Sequence, residues 1–405
     1  MNSESKVYDA LVEYDNLNRH LVLRWTDGHK SIFPYQWLRH QCSYPLTGRP
    51  EQSGDYTFLE PESPRELLIS SCTVDAGYLL LQWRSKSEGT QHKLAELRKR
   101  CLSDDSRNKR KPQHKPWQAA DAAQFDWKDV ADLEDKQQRL EFFLHIRDFG
   151  IVLANGLTPN PGSVESLLKY FGPPRHTHFG YLFDIRSSQL DNKGTGQNIG
   201  ATANNAQSPH SDEGWRHGPP GISLFHCLKC AEEGGASVFV DALGCAEKLR
   251  IVHPESFEFL STVPLLFEAE RNAQERFRSR GRVICTDTIG VVRGVRITDR
   301  TLAPLDLPLN QIEQGYKSLS DFYRLLTIPE NRFEIVLKPG ELVAFDNHQV
   351  LHARHSFDPR KGERWLQQLS IDREEFHNQL RQLGDQLGNA EVSNWEPDSG
   401  VLTYG

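Results

Sequence analysis

Along most of this chain apolar and polar positions alternate in short runs, and a helical period shows in only a few stretches. Residues 20–42 start with Leu21-Val-Leu-Arg-Trp25, turn at Asp27-Gly28, continue through Ser31-Ile-Phe33 and end in Tyr35-Gln-Trp-Leu-Arg39. Asp-Gly between alternating apolar runs is a hairpin signal, so the pattern predicts strand, turn, strand and short helix. The same order returns more weakly in Tyr78-Leu-Leu-Leu-Gln-Trp83, a polar turn with Gly89, and Leu94-Ala-Glu-Leu-Arg98 before Cys101. One small β-rich module built from two similar halves is expected.

From Trp127 onward the character changes. Helical spacing over 129–145 leads into the apolar strand Phe149-Gly-Ile-Val-Leu153, and 164–171 reads as another helix. Short apolar runs then follow at 222–225, 237–240, 284–285 with 291–292, 333–337, 342–345 and 366–371, broken by turns such as Lys338-Pro-Gly340. Such spacing predicts a double-sheet jelly roll or barrel. The stretch 373–387 is polar with a helical pattern. The expected fold class is α+β, mainly β: a small β-rich domain over 1–105, a linker over 106–120, and a jelly roll with flanking helices over 121–405. Arg98-Lys-Arg100, Arg107 and Lys109-Arg-Lys111 have no aromatic residues interleaved, and they read as solvated linker rather than as a nucleic-acid surface.

Length and charge narrow the picture further. A chain of 405 residues exceeds what one core usually spans, which agrees with two domains. A formal charge of −7 and a pI near 6.2 argue against nucleic acid or an anionic membrane as main partner, and favour a small-molecule substrate. Residues 1–16 hold Glu4, Asp9, Glu13 and Asp15 without an apolar run, so neither a secretory signal nor a transit peptide is expected. No stretch approaches about 20 apolar residues, so no membrane span is expected either. Seven cysteines, an odd and scattered set, read as reduced thiols in a cytoplasmic protein. Cys227-Leu-Lys-Cys230 has no second pair and reads as two strand-end thiols.

The candidate chemistry lies in His210-Ser-Asp212, answered downstream by His352 and by Arg364 twelve residues later. A lone His-x-Asp is weak evidence. Here, however, Asp346-Asn-His-Gln-Val-Leu-His352-Ala-Arg354 follows a predicted strand, and Arg364 opens the next. Two imidazoles and one carboxylate suit Fe(II) and leave coordination positions open for a keto acid. A guanidinium, with paired donors in one plane, is the natural anchor for that acid's far carboxylate.

Together with Gly234-Gly-Ala-Ser237, these residues resemble the TauD/TfdA-type Fe(II)/2-oxoglutarate dioxygenases, and most of all the branch of γ-butyrobetaine and trimethyllysine hydroxylases. That branch carries a small N-terminal domain whose signature here reads Trp25-Thr-Asp-Gly-His29-Lys-Ser31 and Trp37-Leu-Arg39. The resemblance implies Fe(II) on His210, Asp212 and His352. It implies 2-oxoglutarate on Arg364 and Ser237, with Arg354 as the alternative anchor, and O2 as co-substrate with ascorbate as reductant in vitro. His348 and His355 flank His352 and read as packing or ligand-orienting groups. The family's structural zinc is not expected, because Cys42 stands without the other cysteines of the cluster and no matching histidine follows Trp83. For the substrate, Phe179 and Phe183 match two positions of an aromatic cage. Glu213 and Ser370 stand where carnitine-forming members carry tyrosines, and Asn198 and Trp215 complete the candidate pocket, with Arg216 as an anion contact. The expected reaction is hydroxylation of an unactivated C–H bond in a small cationic or zwitterionic metabolite, with 2-oxoglutarate and O2 converted to succinate and CO2. Candidates are a γ-butyrobetaine-like, trimethyllysine-like or trimethylammonium-phosphonate compound. The alternatives are a taurine-like sulfonate or a non-catalytic binding protein on the same fold. A homodimer is compatible with the sequence.

Overall fold

The computed structural model describes residues 9–42, 67–84, 89–111, 114–177, 180–187, 205–272, 275–287, 289–358 and 362–395. It divides into two compact units, residues 1–111 and 112–405. In the first, β1 (Ala10–Asp15), β2 (His20–Trp25) and β3 (Lys30–Pro34) form an antiparallel sheet that runs into α1 (Tyr35–Cys42). A second sheet, β4 (Ile69–Asp75), β5 (Tyr78–Trp83) and β6 (Thr90–Lys93), runs in the same way into α2 (Leu94–Lys99). Leu21, Leu23, Phe33 and Leu38 from one half meet Leu79, Leu81, Leu94 and Leu97 from the other in a single buried core. Each half also ties its tryptophan to a hydroxyl: the Trp25 indole donates to Ser31 at 2.8 Å and the Trp83 indole to Thr90 at 3.0 Å.

Two local findings differ from the sequence pattern. A histidine does stand against the end of α1, where none was expected: His92 on β6 meets the Gln41 amide oxygen at 2.8 Å. It lies nine residues after Trp83, on the following strand. The basic run is also partly ordered, since α3 (Asp104–Lys109) starts at Ser103, whose hydroxyl accepts from the Ser106 amide.

In the second unit, Trp117 is buried, and its indole donates to the Phe149 carbonyl at 2.8 Å. After α4 (Ala119–Ala122) and the short β7 (Lys128–Asp129) comes α5 (Lys136–Phe149), which begins later than the apolar spacing predicted. Asp135 sets that start, because its carboxylate accepts the amides of Gln137 and Gln138. Gly150, at φ +74°, ends the helix in a left-handed conformation that favours glycine.

Two sheets then stack. The larger has the order β7-β8-β18-β11-β20-β9, using β8 (Ile151–Asn155), β9 (Leu182–Ser187), β11 (Ile222–Lys229), β18 (Leu342–Asp346) and β20 (Arg364–Ile371). The smaller has the order β10-β19-β12-β17, using β10 (Gln207–His210), β12 (Ser237–Asp241), β17 (Phe333–Ile335) and β19 (Val350–Arg354). Phe225, Phe239, Phe345, Val343 and Leu366 pack between them. The outer face of the larger sheet is covered by α5 and α10 (Arg373–Gln386). The outer face of the smaller is covered by α7 (Ala242–Val252), α8 (Pro254–Thr262) and α9 (Leu309–Thr327). This is the jelly roll with flanking helices. Strand alternation sorts its residues: Val238, Val240, Leu351 and Ala353 face the helices, which leaves Ser237, His352 and Arg354 facing inward.

Candidate metal centre and co-substrate pocket

The end of β10 brings His210 directly opposite His352 on β19, and their ring centroids lie 4.2 Å apart. Asp212 follows two residues later, with one carboxylate oxygen 3.5 Å from His352 Nε2 and 3.8 Å from His210 Nε2. All three donor atoms lie within 4.8 Å of one another, a spacing that one metal ion can span.

The surroundings hold these groups for ligation. His210 Nδ1 donates to the Ser208 carbonyl at 2.9 Å, which leaves the Nε2 lone pair turned to the other two donors. Gln368 Nε2 donates to the second Asp212 oxygen at 2.7 Å. Asn347 clamps the Asp212 backbone, accepting its amide at 2.8 Å and donating to its carbonyl at 3.2 Å. Burial pushes the His352 pKa down to about 3, so its imidazole stays neutral and able to ligate. Burial acts upward on the Asp212 carboxyl, yet its pKa lies below the ordinary value; with His352 neutral, the Gln368 hydrogen bond and the Arg300 charge supply the downward pull.

Arg364, at the start of β20, is buried, and burial lowers its pKa to about 10. Its Nε donates to the Gly235 carbonyl at 3.0 Å and its Nη2 to Ser237 Oγ at 3.2 Å. Gly234 and Gly235 sit at φ +74° and +69°, and a Cβ on Gly235 would lie 3.1 Å from the Arg364 side chain. No carboxylate among the described residues pairs with Arg364. A buried guanidinium without a counter-ion is costly, so the site suits an incoming carboxylate. Ser237 lies two residues before Phe239, the residue opposite His352, or roughly 7 Å along the strand at the usual rise. A five-carbon dicarboxylate fits that span.

Both groups open into one cavity of about 350 Å³. Arg354, buried, lines it too, and its Nη2 donates to the Asn205 carbonyl at 3.0 Å. Among the substrate candidates, Phe183, Glu213, Trp215 and Ser370 line the cavity, whereas Phe179 and Asn198 lie outside the described residues. Glu213 holds a left-handed backbone conformation, φ +50°, and pairs with Arg216 at 2.7 Å. Burial raises its pKa against the pull of Arg216. The Arg216 guanidinium lies over the Phe277 ring at 4.9 Å, and Arg216 is not among the described residues lining the cavity. His348 donates to the Pro219 carbonyl, and His355 pairs with Glu334, so neither belongs to the triad. Cys227 and Cys230 are both free thiols, the first buried and the second exposed.

The sequence pattern had not singled out Gln368 or Arg300. Gln368 was within reach, since Arg364, Leu366, Gln368 and Ser370 alternate along β20 and all face the cavity. Arg300 sits on a turn, where no periodicity points inward. It lines the cavity without a hydrogen bond or ion pair to any described residue.

Fold, triad and guanidinium together define a non-haem Fe(II)/2-oxoglutarate-dependent dioxygenase. The comparisons agree: the model of the taurine catabolism dioxygenase TauD, TfdA family matches residues 109–370, and the chain belongs to that family. It is 30% identical to the gamma-butyrobetaine dioxygenase of Pseudomonas sp. (strain AK-1) over 366 residues, 88% of this chain and 91% of that one. It is 26% identical to the human gamma-butyrobetaine dioxygenase over 358 residues, 84% of this chain and 88% of that one. It is also 29% identical to the bovine mitochondrial trimethyllysine dioxygenase over 263 residues, 62% of this chain and 59% of that one. No helix among the described residues is long and apolar enough to cross a membrane.

Proposed function

We propose that the protein hydroxylates an unactivated C–H bond of a small cationic or zwitterionic amine in the chemical neighbourhood of γ-butyrobetaine. The observation that carries the reading is the shared cavity: a carboxylate, Glu213, and aromatic residues stand beside the His-Asp-His group, with Arg300 at the same wall and without an ion pair among the described residues. In this reading His210, Asp212 and His352 hold Fe(II), while Arg364 and Ser237 fix the distal carboxylate of 2-oxoglutarate, with Arg354 beside them. When bound, the iron supplies the oxidising chemistry that couples decarboxylation of 2-oxoglutarate by O2 to C–H hydroxylation. The protein's part is positional. Gln368 and Asn347 fix the Asp212 carboxylate and backbone, the Ser208 carbonyl sets the His210 tautomer, and Phe225 and Leu366 keep the floor of the pocket apolar.

The sulfonate reading that rests on Arg216 would need that residue at the cavity wall. Its stacking on Phe277 and its pairing with Glu213 favour the amine reading instead. The test is succinate formation from 2-oxoglutarate with Fe(II) and ascorbate, across amino acids of graded N-methylation, aminophosphonates and sulfonates. Stimulation by an amine supports the proposal. Stimulation by a sulfonate lacking an amine overturns it.

A further inference from the structure

Arg300 stands apart from the other charged groups around the cavity. Of the acidic side chains that line it, Asp212 belongs to the metal group, Glu213 pairs with Arg216, Glu268 with Arg278 at 3.3 Å and Glu270 with Arg276 at 2.8 Å. Of the basic ones, Arg175 pairs with Asp372, and Arg364 rests on the Gly235 carbonyl and the Ser237 hydroxyl. Arg300 is exposed at the wall and has neither a hydrogen bond nor an ion pair with any described residue. Its charge nevertheless reaches the metal group: beyond the effects of burial, it pulls down the pKa of both Asp212 and His352.

The backbone that carries Arg300 is braced against the metal loop. Ser211, between two of the three metal-group residues, donates its amide to the Ile297 carbonyl at 2.8 Å, and its hydroxyl accepts the Ile297 amide at 3.1 Å. The Ser208 hydroxyl donates to the Asp299 carboxylate, and the Leu302 amide closes the turn on the Thr298 carbonyl at 3.0 Å. The base of Arg300 is therefore fixed relative to His210 and Asp212. A guanidinium on a fixed base presents a planar fork of donors, which matches a carboxylate or a phosphonate.

The co-substrate leaves this fork unused. Of the two carboxylates of 2-oxoglutarate, the distal one has Arg364 and Ser237, and the one beside the keto group belongs with the metal donors. Arg300 is a further cationic partner, left for an anion of the other reactant. We propose that Arg300 holds an anionic group of the substrate, which is accordingly a zwitterion, an amine that also carries a carboxylate or a phosphonate, rather than a simple cation. The inference rests on the amine reading of the cavity and adds the second charge.

The experiment pairs acids with uncharged counterparts on one skeleton: 4-aminobutyrate and 4-(trimethylammonio)butyrate, each beside its primary carboxamide, with 3-aminopropylphosphonate as the phosphonate arm. Succinate formation is measured for the wild-type enzyme, Arg300→Gln and Arg300→Lys. The KM for 2-oxoglutarate is determined separately, and the melting temperature is the control for folding. The wild type is expected to prefer an acid over its carboxamide in kcat/KM by roughly 10–100-fold, the worth of a hydrogen bond between charged groups. Arg300→Gln should lose most of that preference through a raised KM for the acid. Arg300→Lys should keep part of it, because the charge remains without the fork. The KM for 2-oxoglutarate should stay close to that of the wild type; a rise in it with the acid preference intact would assign Arg300 to the co-substrate and overturn the inference. A wild type that uses the carboxamide as well as the acid overturns it too, and leaves the amine reading standing. Arg300-dependent stimulation by propylphosphonate, which has no amine, removes the amine reading and keeps Arg300 as the anion contact. Stimulation by none of these compounds removes both.

Discussion

Ser237, His352, Arg354, Arg364 and Gln368 stand on three strands drawn from the two sheets, at alternate positions that face one cavity. Glu213 and Trp215 reach the same cavity from the turn after β10, and Arg300 from a second turn. The first wall is built by periodicity, because each of its residues is inward-facing once the buried face of its strand is fixed. The second is built by turn geometry, including a left-handed glutamate, and turns accept substitution more readily than paired strands. Under the proposed function the strand-built wall holds the metal and co-substrate groups, and the turn-built wall meets the amine.

The largest effect is expected at the metal group. His210→Ala removes one of three donors, and coupled succinate formation should fall to background while the circular dichroism of the fold stays unchanged; retained activity would remove the iron assignment. Next in size is Arg364→Ala. Losing the buried partner of a charged ligand group costs about 2–5 kcal/mol, so the 2-oxoglutarate KM should rise by roughly 30-fold or more. Arg364→Lys should recover only part of this, because an ammonium lacks the planar fork. An unchanged KM in both variants would shift the anchor to Arg354. A smaller effect is expected at Gln368→Leu, which deletes the donor to Asp212. Outer groups of this kind are worth about 10–100-fold in metal affinity, and Fe(II) titration of the variant measures it.

The two walls were not equally legible. His210, Asp212, His352 and Arg364 stood out by residue type and context, since His352 follows the apolar run 342–345 and Arg364 opens the next apolar run. Gln368 follows from the alternation along β20. Glu213 could be located but not oriented, because its conformation depends on Arg216 and Phe277, which approach from a turn and from a distant strand, β14 (Glu275–Gly281). In α9 Leu319, Phe322 and Leu326 recur at a helical spacing that was legible, whereas α7 and α8 were missed for a related reason. Their apolar residues pack into a large core on several sides, so no clean polar face marks the period in Ala242–Val252. His92 escaped because its contact with Gln41 bridges the two halves of the small unit, 51 residues apart.

Alternation along β11 also makes a test on its outer face. Phe225 points to the cavity, Leu224 packs on the helix side, and His226 shares the side of Leu224. His226 is fully buried, and neither ring nitrogen has a hydrogen-bond partner among the described residues. Burial lowers its pKa to about 4 from an ordinary 6.5. In the unfolded chain this imidazole takes up its proton near the ordinary value, whereas in the folded chain it stays neutral until the lower one. Between those limits the unfolded state binds more protons, so His226 lowers stability progressively as pH falls. His226→Leu removes both the unsatisfied polar atoms and that linkage. The variant should match or exceed the wild type by up to about 1–3 kcal/mol near neutrality, and its melting temperature should drop less than that of the wild type on going to about pH 5. A variant that melts well below the wild type near neutrality, with the same drop on acidification, would show that His226 has a partner on the helix side and that the outer face of this strand is more polar than its neighbours imply.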